Sequence, residues 1–230
     1  MPLAISKAII DEAHRNGLKV CAHVFSERDA RDLVSVNIDA LAHSIRDRRV
    51  DPAFADYMAE KGVRLMPTIV REEAAVAFSR KDNPYLSDPF FVTCAWELFE
   101  TLAVERFTSD PKKADAIKNA FDLAIQNLAV LSNAQVQICL GTDAGFRLKL
   151  LGFSQHRELQ LMYQAGLTAS QALAAAMKNN YEFFAIGASD LSVGQPADFV
   201  LVKGDPLTDI RNTTNIHQVW QKGTPTVVEL

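Results

Sequence analysis

Three side chains in this chain combine a reactive type with a telling position: His23, His43 and Asp143. His23 follows the short apolar run Leu18–Ala22, and His43 follows Ile38–Ala42. Asp143 sits at the centre of G-T-D-A-G (Gly141–Gly145), just past the run Val136–Leu140. Each run has the length, the apolar content and the flanking turn residues of a buried strand. Neutral imidazole nitrogens from two strand ends can converge on one divalent ion. A carboxylate beside them can bind the same ion or take a proton from a water that the ion acidifies. Each residue also has a structural reading. A histidine at a strand end is commonly a hydrogen-bonded part of the fold, and an aspartate past a strand is commonly a turn former. The spacing matches no local signature such as H-E-x-x-H.

The elements that would position these residues alternate. Leu3–Asn16 carries a helical stripe with Gly17 at the C-terminal cap, and the strand Leu18–Ala22 follows. Ser26 caps a helix over Glu27–Val36, the strand Ile38–Ala42 comes next, and Asp51-Pro52 opens a helix that runs to Lys61-Gly62. Val63–Met66 is a further strand, stopped by Pro67. Thr68–Phe91 reads as irregular, and Val92–Phe107 and Lys112–Leu131 read as helical. After Val136–Leu140 come helices at Gln155–Ala165 and Ala169–Phe184, then strands at Ala197–Lys203 and Ile216–Gln221. Strands alternating with helices imply parallel β/α units, and ligands of such sheets gather beyond the carboxyl ends of the strands. Three of the four strands in the first 187 residues end on His23, His43 or Asp143, which points to one common rim.

Composition narrows the function. The chain has 230 residues, 48% hydrophobic and 23% charged, with net charge −4 and a pI near 5.7. That balance gives no electrostatic reason to expect a nucleic acid or an anionic membrane as partner. No apolar run approaches the roughly 20 residues needed to span a bilayer. Met1–Asp11 lacks the pattern of a secretory leader. Cys21, Cys94 and Cys139 form no C-x-x-C pair and read as buried free thiols, so a reducing, cytoplasmic setting is expected. No P-loop, G-x-G-x-x-G or G-x-S-x-G occurs, which argues against nucleotide hydrolysis, dinucleotide binding and serine hydrolase chemistry.

A-H-V-F at Ala22–Phe25, L-A-H-S at Leu41–Ser44 and G-T-D-A-G resemble the later barrel strands of the amidohydrolase superfamily, in its imidazolonepropionase-like and prolidase-like branch. H-R-E-L-Q-L-M-Y-Q-A-G-L-T at His156–Thr168 resembles the helix after the eighth strand. G-Q-P-A-D-F-V-L-V-K-G-D-P-L at Gly194–Leu207 resembles the return into a small β domain. The resemblance implies an α/β fold: a partial TIM (β/α)8-type barrel, strands five to eight, over residues 1–187, with part of a small β-sandwich-like domain over 188–230. It implies His23 and His43 as metal ligands, and Asp143 as metal ligand and general acid/base. The implied cofactor is one or two divalent ions in the complete enzyme, zinc by default because imidazole and carboxylate suit it. The implied reaction is hydrolysis of C–N bonds in cyclic amides, N-acyl amino acids or dipeptides.

The sequence departs from the family in two places. Ala176–Ala185 keeps only the Ala and Asn179 of the helix after the barrel, and the first-strand H-x-H and fourth-strand Lys have no counterpart. The chain is therefore expected to be the carboxyl-terminal half of an enzyme, inactive and weakly metal-binding alone. Its partners would be a missing amino-terminal half or a second copy meeting open sheet edges. A non-catalytic fragment or scaffold module is the competing reading. Arg71 and His156 lie where they could touch substrate, although the loop carrying Arg71 fits a mobile lid equally well. His14 reads as complementing a helix carboxyl terminus, His217 as structural, and Arg46–Arg49 as either a solvated loop face or a carboxylate clamp.

Overall fold

The computed structural model describes residues 1–80, 82–95, 110–145, 149–187 and 190–226. Three short strands, β1 (Cys21–His23), β2 (Ala40–Ala42) and β3 (Arg64–Met66), form a parallel sheet in the order β1-β2-β3. Cys21 pairs with Ala40 and Ala40 with Arg64, so the strands end level with one another. Of the expected strand Val136–Leu140, one parallel bridge forms, between Leu65 and Ile138. Leu65 N donates to Gln137 O at 3.1 Å and Cys139 N to Leu65 O at 2.8 Å, which aligns this segment with β3. Gly141 lies beside Met66 and Thr68, where an added Cβ would make ordinary contacts at 3.4 and 3.6 Å.

The helices between strands arise where the caps predict. Before α1 (Leu3–Arg15) no side chain caps the helix. Ser26 Oγ accepts from Asp29 N to start α2 (Glu27–Ser35), and Asp51 accepts from Phe54 N to start α3 (Pro52–Glu60), with proline in its first turn. Alternate strand residues point to opposite faces. Leu41, Leu65 and Ile138 enter the main core with Val34, Phe54, Met58, Leu128 and Leu161. Ala40, Met66 and Cys139 face the other way and pack against Phe183.

Several expectations are corrected. Thr68–Phe91 is not irregular: α4 (Ile69–Ala77), a 3-10 turn (Pro84–Ser87) and α5 (Pro89–Cys94) occupy it. Pro84 and Pro89 there start elements rather than break them, because proline suits a first turn. Of the helix expected over Val92–Phe107, residues 96–107 lie outside the described residues. The next helix, α6, spans Pro111–Asn133, and α7 spans Phe153–Gln164. The single helix expected over Ala169–Phe184 is two, α8 (Ala169–Ala176) and α9 (Lys178–Phe184), broken where Met177 leaves helical geometry. Cys21 is exposed and Cys94 half-buried, so only Cys139 is a buried thiol; among the described residues β1 is an edge strand with no further strand on its outer side.

A second sheet is antiparallel, in the order β4 (Phe199–Val202), β5 (Ile216–Gln221), β6 (Thr224–Thr226). Phe199 stacks on Trp220, and the 3-10 turn Ile210–Thr214 sends Ile210 into the main core. Among the described residues no helix is long and apolar enough to cross a membrane.

One polar residue ties the loop after His43 to the helical layer. Asn127 of α6, 1% exposed, accepts from Val50 N and donates to Ile45 O and Arg48 O at 2.8–2.9 Å. Alanine there would leave buried backbone groups unpaired. Asn127→Ala is expected to lower stability by roughly 3 kcal/mol, read from urea denaturation midpoints at unchanged slope.

Candidate active site at the carboxyl rim of the sheet

His23 ends β1, His43 lies one residue past β2, and Thr68 lies two past β3. The parallel register therefore delivers all three to one rim. His23 Nδ1 and His43 Nε2 are 2.6 Å apart, and the ring centroids are 4.7 Å apart. On its other edge His43 Nδ1 lies 2.8 Å from Thr68 Oγ1. Phe25 stacks on the His43 ring at 4.9 Å with planes 9° apart. The histidine pair is thus clamped from three sides.

His43, Thr68 and Asp143 all have left-handed backbones, with φ of 78°, 49° and 54°. That conformation costs a non-glycine residue on the order of 1 kcal/mol, and it persists where surroundings hold it. They do so here: His43 N donates to Met66 O at 2.8 Å, and Ser44 Oγ donates to Pro67 O at 2.7 Å. The turns after β1 and β2 are each pinned to the next strand, the first through Val24 N donating to Ala42 O at 2.9 Å.

Asp143 does not join the histidines through a hydrogen bond. Its Oδ2 accepts from Lys149 Nζ at 2.5 Å and lies 3.3 Å from Arg71 Nε. Burial raises its pKa, but the Lys149 hydrogen bond and charge, with His43 and Arg71, bring it below the ordinary carboxylate value. Arg71 also donates to Glu72, which accepts from Arg46 as well; both guanidiniums lie over the Phe25 ring. Arg46 is therefore not part of a solvated face, because Glu72 and Phe25 draw it inward. Burial first, then the charge of Arg71, lowers the His43 pKa to about 4, with Asp143 opposing. His43 stays neutral at physiological pH, the form that ligates metal.

The remaining candidates lie elsewhere. His156 meets Phe90 edge-on at 5.2 Å; its Nδ1 has no partner among the described residues, and burial lowers its pKa. His14 lies in the last turn of α1, as expected, and its Nε2 pairs with Asp39 Oδ2 at 2.8 Å, one residue before β2. His217 lies in β5.

Sequence reasoning passed over Thr68, Phe25 and Glu158. Glu158, fully buried in α7, accepts from Ile69 N at 2.9 Å and Val70 N at 2.7 Å, the first N–H groups of α4. The signal was present in the sequence. Glu158 falls on the stripe Ser154, Glu158, Leu161, Ala165, so a charged residue occupies a core position.

A divalent ion fits the described donors in part. The two imidazole nitrogens are hydrogen-bonded to each other, so an ion held by both would displace the proton they share; the second nitrogen of His43 has an orienting partner in Thr68, as ligating histidines require. Asp143 shares the rim but is held by two cations. Among the described residues no group of three or more potential ligands gathers, whereas a catalytic zinc site needs three.

The profile described as the amidohydrolase family matches residues 4–226. Uncharacterized proteins of Mycobacterium tuberculosis and Mycobacterium bovis are 27% identical over 202 residues, covering 88% of this chain and 46% of theirs. Among solved structures, a prolidase complexed with N-methylphosphonate-L-proline superposes with TM-score 0.73 at 22% identity, covering 98% of this chain and 49% of that one. A Xaa-Pro dipeptidase with bound methionine gives 0.71 at 20% identity, over 96% and 48%. The A. niger ochratoxinase gives 0.70 at 21%, over 98% and 45%. The chain thus spans about half the length of the proteins it matches.

Burial pushes the Glu158 carboxyl up to about 8, against the pull of the two N–H groups it accepts from. A raised carboxyl pKa means that the folded state binds the proton more tightly than the unfolded chain does. Its contribution therefore falls as pH rises between the unfolded value near 4.5 and about 8. Relative to Glu158→Gln, the wild-type chain is expected to lose about 1.4 kcal/mol per pH unit across that window. Urea denaturation of both proteins at pH 5, 6.5 and 8 checks the slope.

Proposed function

The chain belongs to the amidohydrolase family, and from that premise we propose that it carries the fifth-to-eighth-strand half of a metal-dependent hydrolase of C–N bonds. Its substrates would be small cyclic amides, N-acyl amino acids or dipeptides. On this reading residues 1–187 are the barrel half and 188–230 part of a small β domain. The observation that carries it is the meeting of His23 and His43 on consecutive strand ends, 2.6 Å apart, with Asp143 on the same rim.

His23 and His43 would hold a divalent ion, zinc by default, one or two ions in the complete enzyme. Such an ion, when bound, acidifies water and polarises an amide carbonyl. Asp143 would accept a proton from the attacking water and return it to the leaving nitrogen. Its low pKa keeps it ionised for the first of these tasks. Lys149 and Arg71 hold its carboxylate in place until a ligand or substrate competes for it. Arg71, half-buried over Phe25, would meet a substrate carboxylate, and His156 would be a second candidate for substrate contact.

The partial-barrel reading draws support from two exposed features. β1 has no outer strand neighbour among the described residues, and beside it Ile5, Ile9 and Leu18 are exposed. The same half-length match, and the absence of a third converging ligand among the described residues, favour the second reading, a non-catalytic module that retains the fold.

Metal analysis of the purified chain, alone and co-expressed with an amino-terminal barrel half supplying H-x-H, separates the two readings. The hydrolase reading expects weak zinc binding alone, and stoichiometric metal with amide hydrolysis in the pair. In that pair Asp143→Asn is expected to lower kcat by roughly 10²- to 10⁴-fold with metal content retained. Neither metal nor turnover in the pair would establish the module.

A further inference from the structure

Thr68 stands at the N-cap of α4, where a threonine ordinarily turns its hydroxyl onto an N–H of the first helical turn. It does not do so here. Its backbone is left-handed, its side chain makes no cap hydrogen bond, and its Oγ1 lies 2.8 Å from His43 Nδ1. The N–H groups at the start of α4 still need acceptors, because burial without partners is costly. Glu158 supplies them, one oxygen to Ile69 N and the other to Val70 N, from a helix 88 to 89 residues further along the chain. A fully buried carboxyl group is expensive to place in a core of Leu159, Leu161 and Met162. An apolar residue at 158 with a self-capping Thr68 would pair one N–H of the first turn locally, at the loss of the hydroxyl beside His43.

We propose that Glu158 is a positioning residue for His43: by capping α4 in place of Thr68, it leaves the Thr68 hydroxyl to hold His43 Nδ1, so that Nε2 faces His23 and the rim. The inference rests on the reading that His43 works at that rim. In this arrangement His43 Nδ1–H donates to Thr68 Oγ1, and the Nε2 lone pair is presented outward. Glu158 touches neither substrate nor either histidine. It acts through the first turn of α4.

The test measures the His43 ring directly in the 230-residue chain, by long-range ¹H–¹⁵N correlation at pH 7.5, beside zinc titration calorimetry. Wild type is expected to show one His43 tautomer, protonated at Nδ1. Glu158→Gln, which keeps one acceptor oxygen, is expected to give mixed tautomers and about 10- to 100-fold weaker zinc binding. Thr68→Val is expected to give the same mixture while the Ile69 and Val70 amides stay protected from hydrogen exchange, because Glu158 still caps them. Thr68→Ser should restore the wild-type spectrum. A folded Glu158→Gln with an unchanged His43 ring overturns the proposal. So does Thr68→Val if it leaves the ring unchanged or deprotects those two amides, and this variant decides alone should Glu158→Gln not fold. Absence of zinc binding by wild type would count against the hydrolase reading, and the tautomer result would still decide this one.

Discussion

Parallel register between short strands is the constraint on which this structure depends. Cys21, Ala40 and Arg64 stand side by side, and Ile138 continues the row beside Leu65. Because strands in a parallel sheet all exit at the same end, the residues just past each exit must share a rim. A slip of one residue in β1 or β2 would turn His23 or His43 to the opposite face. The apolar alternation of Leu41, Leu65 and Ile138 against the helices forbids that slip. Core packing and site geometry are thus one requirement met by the same few residues.

The rim is held together by electrostatics of an unusual balance. Arg46, Arg71 and Lys149 are gathered near two imidazoles, with Glu72 and Asp143 as counter-charges. Burial first, and then the neighbouring Arg71, keep His43 neutral, while Lys149 and Arg71 favour an ionised Asp143 against the cost of its burial. Both states are those that metal ligation and proton acceptance call for. Phe25 makes the gathering possible: its ring offers one face to His43, and two guanidiniums also lie over it, an aromatic spacer between groups that would otherwise repel.

The second layer of support comes from residues distant in sequence. Asn127 pins the loop after His43 from α6, and Glu158 caps α4 from α7. Each is a fully buried polar side chain whose hydrogen bonds are satisfied by backbone, the arrangement in which burial rigidifies rather than weakens. The aromatic group Phe78, Tyr85, Phe91 and Phe153 packs beneath them as a separate core. It anchors α7 and therefore Glu158.

Local chemistry in the sequence determined much of this. Turn residues and apolar runs located the first three strands to within three residues. Ser26, Asp51 and Pro52 announced two helix starts, and the strand-end positions of His23, His43 and Asp143 singled out one rim. Those features are legible because they depend on neighbours one to four residues away. Only the tertiary structure decided that Asp143 turns to Lys149 and Arg71, that Thr68 holds His43, and that Ile69–Ala77 is a helix. α4 owes its first turn to a carboxylate 88 residues away, and no local pattern can show a cap supplied from across the core.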